Sequence, residues 1–385
     1  MRLSIPSSAL VAAVVGFGST LALIIAAAGA LGATQEQTAS WVTAVCLATA
    51  IETAWLSWRT KMPTMAAWST PALALLGSAQ GYSMNDAVGA FIMAAVMLVG
   101  TGLAKPLMRL VARLPVAIAS AMLAGIVFTF AAGAARAAVD DPWLVLPLAI
   151  LFFVARAFNP SLSALAVLLG GVAYAWALGR VPQFPAPELS TLVFTQPNFS
   201  FGIFVSLALP IYLVTMALQN LAGIAVLKAS GYDDPPAGQL ITVTGLISLL
   251  SAPFNASTTN LAAISAVICT GPDTHPDKAE RWKTGPFYAL CYVVFAIFGA
   301  SLVALLGVLP GTLILLVAGL GLLGPLANAL SIAFVDTSTR IAATVTFAVT
   351  ASGITAFGIG AAFWGLAAGL AVLGLELPRK MFARQ

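Results

Sequence analysis

Charge is scarce in this sequence. Seventeen Lys or Arg and 13 Asp or Glu make up 8% of 385 residues, against roughly 25% in a soluble globular domain. A water-facing surface cannot be built from that inventory, and 60% of the chain is hydrophobic, so it reads as a polytopic membrane protein. The net charge of +4 does not point to nucleic acid, because the basic residues are spread over short loops and form no patch. Histidine is nearly absent. His275, in Thr270-Gly-Pro-Asp-Thr-His-Pro-Asp277, is the only one, which excludes a histidine metal cluster and a Ser-His-Asp triad. Three cysteines, Cys46, Cys269 and Cys291, share no metal or redox spacing and read as buried thiols. No catalytic residue, metal site or cofactor is expected. A membrane enzyme needs acids or bases clustered at one depth, and only Glu52 lies well inside a span.

What the chain has in abundance is apolar runs. A helix needs about 20 such residues to cross the hydrocarbon, and runs near 9–31, 38–58, 85–104, 114–135, 142–158 and 161–178 supply them in the first half. A proline-rich loop over about 179–200 divides the chain, and the second half repeats the series near 201–228, 238–252, 284–308, 310–331, 337–354 and 358–377. Each half also holds one shorter segment, opening at Pro63 and at Pro253, which brings the count to seven and seven. The halves echo each other elsewhere: Leu114-Pro115 leads to Ala124-Gly125 as Leu309-Pro310 leads to Ala318-Gly319, about 195 positions on. With the N-terminus inside, Arg2, Arg59, Lys61, Lys105, Arg109, Arg113, Arg156, Lys228, Lys278, Arg281, Lys283, Arg340, Arg379, Lys380 and Arg384 fall on the inner side, against Arg136 and Arg180 outside. Both termini are then cytoplasmic. An odd number of segments per half makes the repeats inverted. The expected fold is an all-α membrane protein of 14 transmembrane segments in 7+7 inverted repeats, over 1–180 and 201–385.

The two short segments organise the rest. Pro63-Thr-Met-Ala-Ala-Trp-Ser-Thr-Pro71 and Pro253-Phe-Asn-Ala-Ser-Thr-Thr-Asn260 lie 190 positions apart, and each passes through small or polar residues before an apolar run too short to span alone. Polar backbone at membrane depth is tolerated only where protein buries it or it lines a cavity, and paired interrupted segments point to a transporter's binding site. If 65–69 and 255–259 are extended, half-helices begin near Thr70 and Asn260, and two helix N-termini facing each other form an anion site without a cationic side chain. The alternative is that the prolines kink ordinary spans; the polar set Ser69, Thr70, Asn255, Ser257, Thr258, Thr259 and Asn260 counts against it.

Four further residues stand out. Gln219 and Asn220 are adjacent amides deep in an apolar helix, suited either to bonding a substrate or to tying helices together at about 0.6 kcal/mol per bond. Phe17, in Gly16-Phe-Gly-Ser-Thr20, is placed to stack on a ring or simply to pack. Glu52 costs about 3 kcal/mol at bilayer depth on insertion scales, which marks it either as a proton site or as a hydrogen-bonded structural carboxyl. Gly319-Leu-Gly-Leu-Leu-Gly324 satisfies G-x-G-x-x-G, but it lies inside an apolar span with no strand before it and reads as helix packing.

Pro63 to Pro71, Ala208-Leu-Pro-Ile-Tyr-Leu-Val-Thr-Met-Ala-Leu-Gln-Asn220, Gly231-Tyr232, Asn260 to Pro272 and Trp282 together resemble the benzoate-proton symporter (BenE) family over most of the chain. That family is similar in fold to nucleobase-cation symporters and to sulfate and bicarbonate carriers. The resemblance implies a core domain, about 9–104 plus 201–308, and a gate domain, about 105–180 plus 309–378, with a short strand before each half-helix in segments 3 and 10. By position, Gln219 and Thr259 stand where nucleobase relatives carry substrate-binding carboxylates, and neutral groups there suit an anion. After Ala252-Pro-Phe254 the family pattern is more apolar and glycine-containing; Asn255 to Thr259 here points to a carboxylate more polar than benzoate. The expectation is an inner-membrane transporter importing benzoate or a related small carboxylate with a proton by alternating access. The carboxylate would sit at the half-helix tips, and Phe17 or Trp68 would hold the ring. An exchanger or uniporter for another small anion, or a nucleobase-type symporter, is the alternative. The expected partners are the substrate, a proton and the lipid bilayer; a homodimer is left open, and nucleic acid is not expected.

Overall fold

The computed structural model describes residues 4–111, 115–160, 162–181 and 183–382. Arg2, Arg113 and Arg384 of the expected inner set, and Leu114 of the repeat match, lie outside them. Helix α1 is Ile5–Ala30 and α2 is Gln35–Thr60, the latter opened by a reciprocal capping box between Thr34 and Gln37. Strand β1, Ala66–Trp68, and the half-helix α3, Thr70–Ser78, follow. Then come α4, Met84–Leu103; the short α5, Lys105–Val111; α6, Val116–Asp140; α7, Pro142–Phe158; and α8, Ser163–Ala177. The second half opens with α9, Phe201–Ala229, and α10, Ala237–Ser251. Strand β2, Thr259–Leu261, leads to the half-helix α11, Ile264–Thr270. The last helices are α12, Thr284–Ile297; α13, Gly299–Gly307; α14, Gly311–Gly321; α15, Leu323–Val335; α16, Arg340–Ala351; and α17, Ala361–Phe382.

Among the described residues seven helices are long and apolar enough to cross a membrane, or eight if α12 and α13, bent by 56°, count as one. The bend has an identifiable cause. Ser190 of the central loop enters the break, its N–H donating to Ile297 O at 3.1 Å and its Oγ accepting Ala300 N–H at 2.8 Å. The same loop continues past α2, the turn after α10 and the start of α4: Val193 N–H donates to Ser40 Oγ at 2.9 Å, Thr195 N–H to Pro253 O at 2.9 Å and Asn198 N–H to Asn85 O at 3.0 Å.

Helix crossings at glycine support the sequence reading of the repeat. A Cβ on Gly319 would lie 2.5 Å from Phe130 O, and one on Gly125 would lie 2.9 Å from Phe347 O, so both repeat-matched glycines sit where helices approach closely. Gly319, the first glycine of the G-x-G-x-x-G match, thus serves helix packing.

At one end of this helix group Asp141 caps α7, accepting Leu144 N–H at 3.4 Å, while the Arg180 guanidinium and the Thr312 hydroxyl bond its Oδ2. The Arg180 hydrogen bond, aided by its charge, holds the Asp141 carboxyl below the ordinary carboxylate value. A depressed folded pKa contributes stability above the unfolded value and loses it as pH falls through the folded one. Asp141→Asn is therefore expected to lower thermal stability at neutral pH by about 0.5 kcal/mol, typical of a partly exposed pair. In detergent melts the gap from the parent should close as pH drops below the carboxylate range.

Candidate functional site

Two broken spans meet in the middle of the molecule. Strands β1 and β2 pair antiparallel with Ala66 opposite Leu261, Ala67 opposite Asn260 and Trp68 opposite Thr259. Just outside the ladder Ser69 N–H donates to Thr258 O at 3.0 Å and Ala262 N–H to Met65 O at 2.8 Å. A two-stranded ribbon leaves outward-facing backbone groups that need partners where water is absent. Helix side chains supply them. Ala66 N–H donates to Thr53 Oγ1 at 3.0 Å, Thr259 N–H to Ser248 Oγ at 2.9 Å and Leu261 N–H to Asn220 Oδ1 at 3.0 Å; Ala66 O accepts the Tyr288 hydroxyl at 3.2 Å.

These bonds also expose the pseudo-symmetry. Thr53 and Ser248 are 195 positions apart and hold residues 66 and 259, which are 193 apart. The offset of 190 drawn between the prolines is corrected by three. So is the start of the second half-helix, which is Ile264 and not Asn260. The reason is that Pro253 sits in a 3-10 turn continuing α10, closed by Asn255 at φ 75°, so the chain becomes extended later than its proline suggests. Asn260 is the central residue of β2.

Around this ribbon the expected site residues fall into three groups. Phe17, buried on α1, stacks on Phe295 at 4.4 Å between centroids and meets Trp68 edge-on at 5.8 Å. Tyr292 closes the group, 5.9 Å from Trp68 and 6.5 Å from Phe17, with Tyr288 beside it at 4.7 Å. A second group is built of hydroxyls: Ser69, the N-cap of α3, accepts Ala72 N–H at 3.4 Å and the Thr215 hydroxyl at 2.8 Å, with Thr258 Oγ1 3.3 Å from Thr215. Thr70 is half-buried in the first turn of α3. The third group surrounds the acid. Glu52 is fully buried, its Oε1 accepts the Thr259 hydroxyl, and its Oε2 has no partner. The sequence reading set Thr259 beside a ligand; here it faces Glu52.

Asn260 is fully buried, donates from Nδ2 to Leu261 O at 2.9 Å, and leaves Oδ1 without a partner. The two adjacent amides of α9 part company. Asn220 is buried on the edge of β2, while Gln219 stands half-buried beside it. Both lie in a widened π turn, Met216–Asn220. Such turns recur at functional sites. An earlier one, Phe204–Ala208, precedes Pro210, which has no N–H to return to the turn before it. The polar stretch after Phe254 is largely occupied within the protein: Asn255 Nδ2 donates to Val193 O at 3.0 Å and Trp41 Nε1 to Ser257 Oγ at 3.3 Å.

Sequence reasoning passed over Tyr288, Tyr292, Thr215, Ser248 and Thr53. The tyrosines carried a weak signal, two hydroxylated rings at i and i+4 on one helix face. The single hydroxyls carried none, since Ser and Thr are ordinary in apolar helices.

A profile of the family described as Benzoate membrane transport protein (BenE) matches residues 2–375. The chain belongs to that family. It is 39% identical over 379 residues to Inner membrane protein YdcO of Escherichia coli K12, covering 96% of each chain. It is 34% identical over 370 residues to the Benzoate membrane transport protein of Acinetobacter baylyi, covering 96% of this chain and 94% of that one. Among solved structures it resembles the transmembrane domain of the cyanobacterial bicarbonate transporter BicA, with TM-score 0.62, 13% identity, and 96% and 98% of the two chains covered. It also resembles SLC26A9, with TM-score 0.64 and 11% identity, over 96% of this chain and 65% of that one. These likenesses show that the chain shares the inverted-repeat fold of those transporters, and family membership makes the protein a membrane transporter and not an enzyme.

Proposed function

We propose that this protein imports benzoate or a closely related small carboxylate together with a proton, by moving the core domain (about 9–104 plus 201–308) against the gate domain (about 105–180 plus 309–378) in a bacterial inner membrane, with both termini cytoplasmic. The observation that carries the reading is the meeting of the broken spans: an aromatic cluster of Phe17, Trp68 and Tyr292 beside a paired ribbon whose central Asn260 has an unused amide oxygen. An aryl ring suits edge-on aromatic neighbours. Its carboxylate is met by the first turn of α3 at Thr70 and by Asn260, whose amide offers Nδ2 after a half-turn that gives up the bond to Leu261. Gln219 supplies a further amide from α9. Benzoate is favoured over a more polar acid, because the hydroxyls and amide of 255–259 are largely engaged by the protein and the named relative is a benzoate transporter. All these residues come from one chain, so a homodimer adds none of them.

Uptake of labelled benzoate into proteoliposomes, with and without an inward proton gradient, tests the reading. Saturable uptake that rises with the gradient is expected; gradient-independent uptake removes the symport. The likeness to a bicarbonate transporter favours one rival, an exchanger or uniporter for a small inorganic anion. Competition by excess bicarbonate in the same vesicles would reveal it.

A further inference from the structure

Thr259 Oγ1 has three acceptors for a single proton. It bonds Glu52 Oε1, stands 2.9 Å from Ser248 Oγ and lies 3.4 Å from Thr244 O. Ser248 and Thr244 belong to α10, whereas Glu52 belongs to α2, so the choice of acceptor decides which helix grips β2 through this hydroxyl. Successive side chains of a strand leave opposite faces, so while Thr259 faces Glu52 its neighbour Asn260 leaves the other face.

The ribbon does not need this bond for its own assembly. Pseudo-symmetry puts Ala66 where Thr259 stands and Ile247 where Glu52 stands, and β1 is held through Thr53 without any acid. Among the described residues the acid and hydroxyl pair has no counterpart at Ala66 and Ile247.

We propose that Thr259 is a positioning residue through which the protonation state of Glu52 is passed to β2, and not a substrate contact. With Glu52 ionised, Ser248 donates to Thr259 and Thr259 to the carboxylate, a charge-assisted bond that pins β2 to α2. A proton from water forms an O–H bond at the unpartnered Oε2, and no other atom is transferred. Oε1 becomes a neutral acceptor of roughly half the strength, the Thr259 proton turns to Thr244 O, and β2 is held by α10. The proton later returns to water from the same oxygen.

Among the described residues no second titratable group is bonded to Glu52, and α2 itself carries Glu36, Cys46 and Arg59 besides. Helices α1, α10 and α13, the turn Ala252–Phe254 and both strands, all packed on α2, carry none. Helix α12 brings Tyr288, Cys291 and Tyr292, and the turn Lys278–Lys283 brings Lys278, Glu280, Arg281 and Lys283. Among the described residues none of these bonds Glu52.

The inference rests on the proposed proton symport and takes Glu52, the buried acid beside the ribbon, as its proton site, and the test separates the relay from that assignment. Uptake is measured in proteoliposomes across about pH 5 to 8 for the parent, Glu52→Gln, Thr259→Val and Thr259→Ser, each checked by gel filtration, with Thr259→Ala replacing the valine variant if that aggregates. Loss of the hydroxyl is expected to move the pH midpoint by about one unit, serine should restore the parent midpoint, and the change should appear in the midpoint rather than in KM. An unmoved midpoint in Thr259→Val, with Glu52→Gln abolishing the pH dependence, overturns the relay alone. A raised KM at every pH with an unmoved midpoint makes Thr259 a substrate contact. An unaltered profile in Glu52→Gln removes the proton site itself, and the relay with it.

Discussion

Asn260→Leu is expected to weaken benzoate binding by roughly 10- to 150-fold while the protein remains folded. The side chain is fully buried at the centre of β2, and among the described residues its bond runs from Nδ2 to the neighbouring Leu261 carbonyl. Leucine has nearly the same length and no polar end; the one group it leaves without its donor is the buried Leu261 carbonyl, a loss that the melt of the unliganded protein reads separately. The ladder to Ala67 is made by backbone and survives the change. A hydrogen bond to a charged group contributes about 1.5–3 kcal/mol, which corresponds to roughly a 10- to 150-fold loss of affinity. Ligand-induced thermal shift with benzoate, alongside gel filtration, reads both halves of the expectation. Affinity equal to the parent's would take Asn260 out of the site.

The second large effect is expected at Glu52. Under the proposed one-to-one coupling, each pH unit across the membrane supports about tenfold accumulation, since one unit is 1.36 kcal/mol. Glu52→Gln presents a neutral oxygen to the Thr259 hydroxyl, as the protonated acid does, so β2 stays in the arrangement held by α10. What it lacks is an atom able to take up and release a proton. Gradient-driven accumulation should therefore fall to an equal concentration inside and out, while exchange of labelled for unlabelled benzoate continues. Accumulation that still follows the imposed gradient would clear this residue of proton duty.

The broken spans were legible because their signal is local. Proline and a cluster of hydroxyls and amides interrupt an apolar run, and no helix in lipid tolerates that without neighbours to satisfy the backbone. The register between the halves was harder to read. Prolines 63 and 253 look equivalent but occupy different turns, one before an extended run and one inside a 3-10 continuation of α10, and only the strand pairing shows that residue 66 corresponds to 259. Likewise the sequence could set Asn220 as ligand contact or helix tie without choosing. The bond from Leu261 N–H shows that its carbonyl serves the ribbon edge.

Composition and patterning by themselves determined that this chain lives in a membrane, that it is built twice, and that two short polar interruptions matter. Those properties follow from hydrophobicity and backbone chemistry, which every residue carries along the chain. Which hydroxyl meets which acceptor was decided by the tertiary structure alone. Thr259 finds Glu52 across 207 positions of sequence, and Phe17 finds Trp68 and Phe295 from three different segments. Contacts of that kind depend on how helices cross and where glycines let them approach, and a single Ser, Thr or Tyr in an apolar run carries no mark of the partner it will meet.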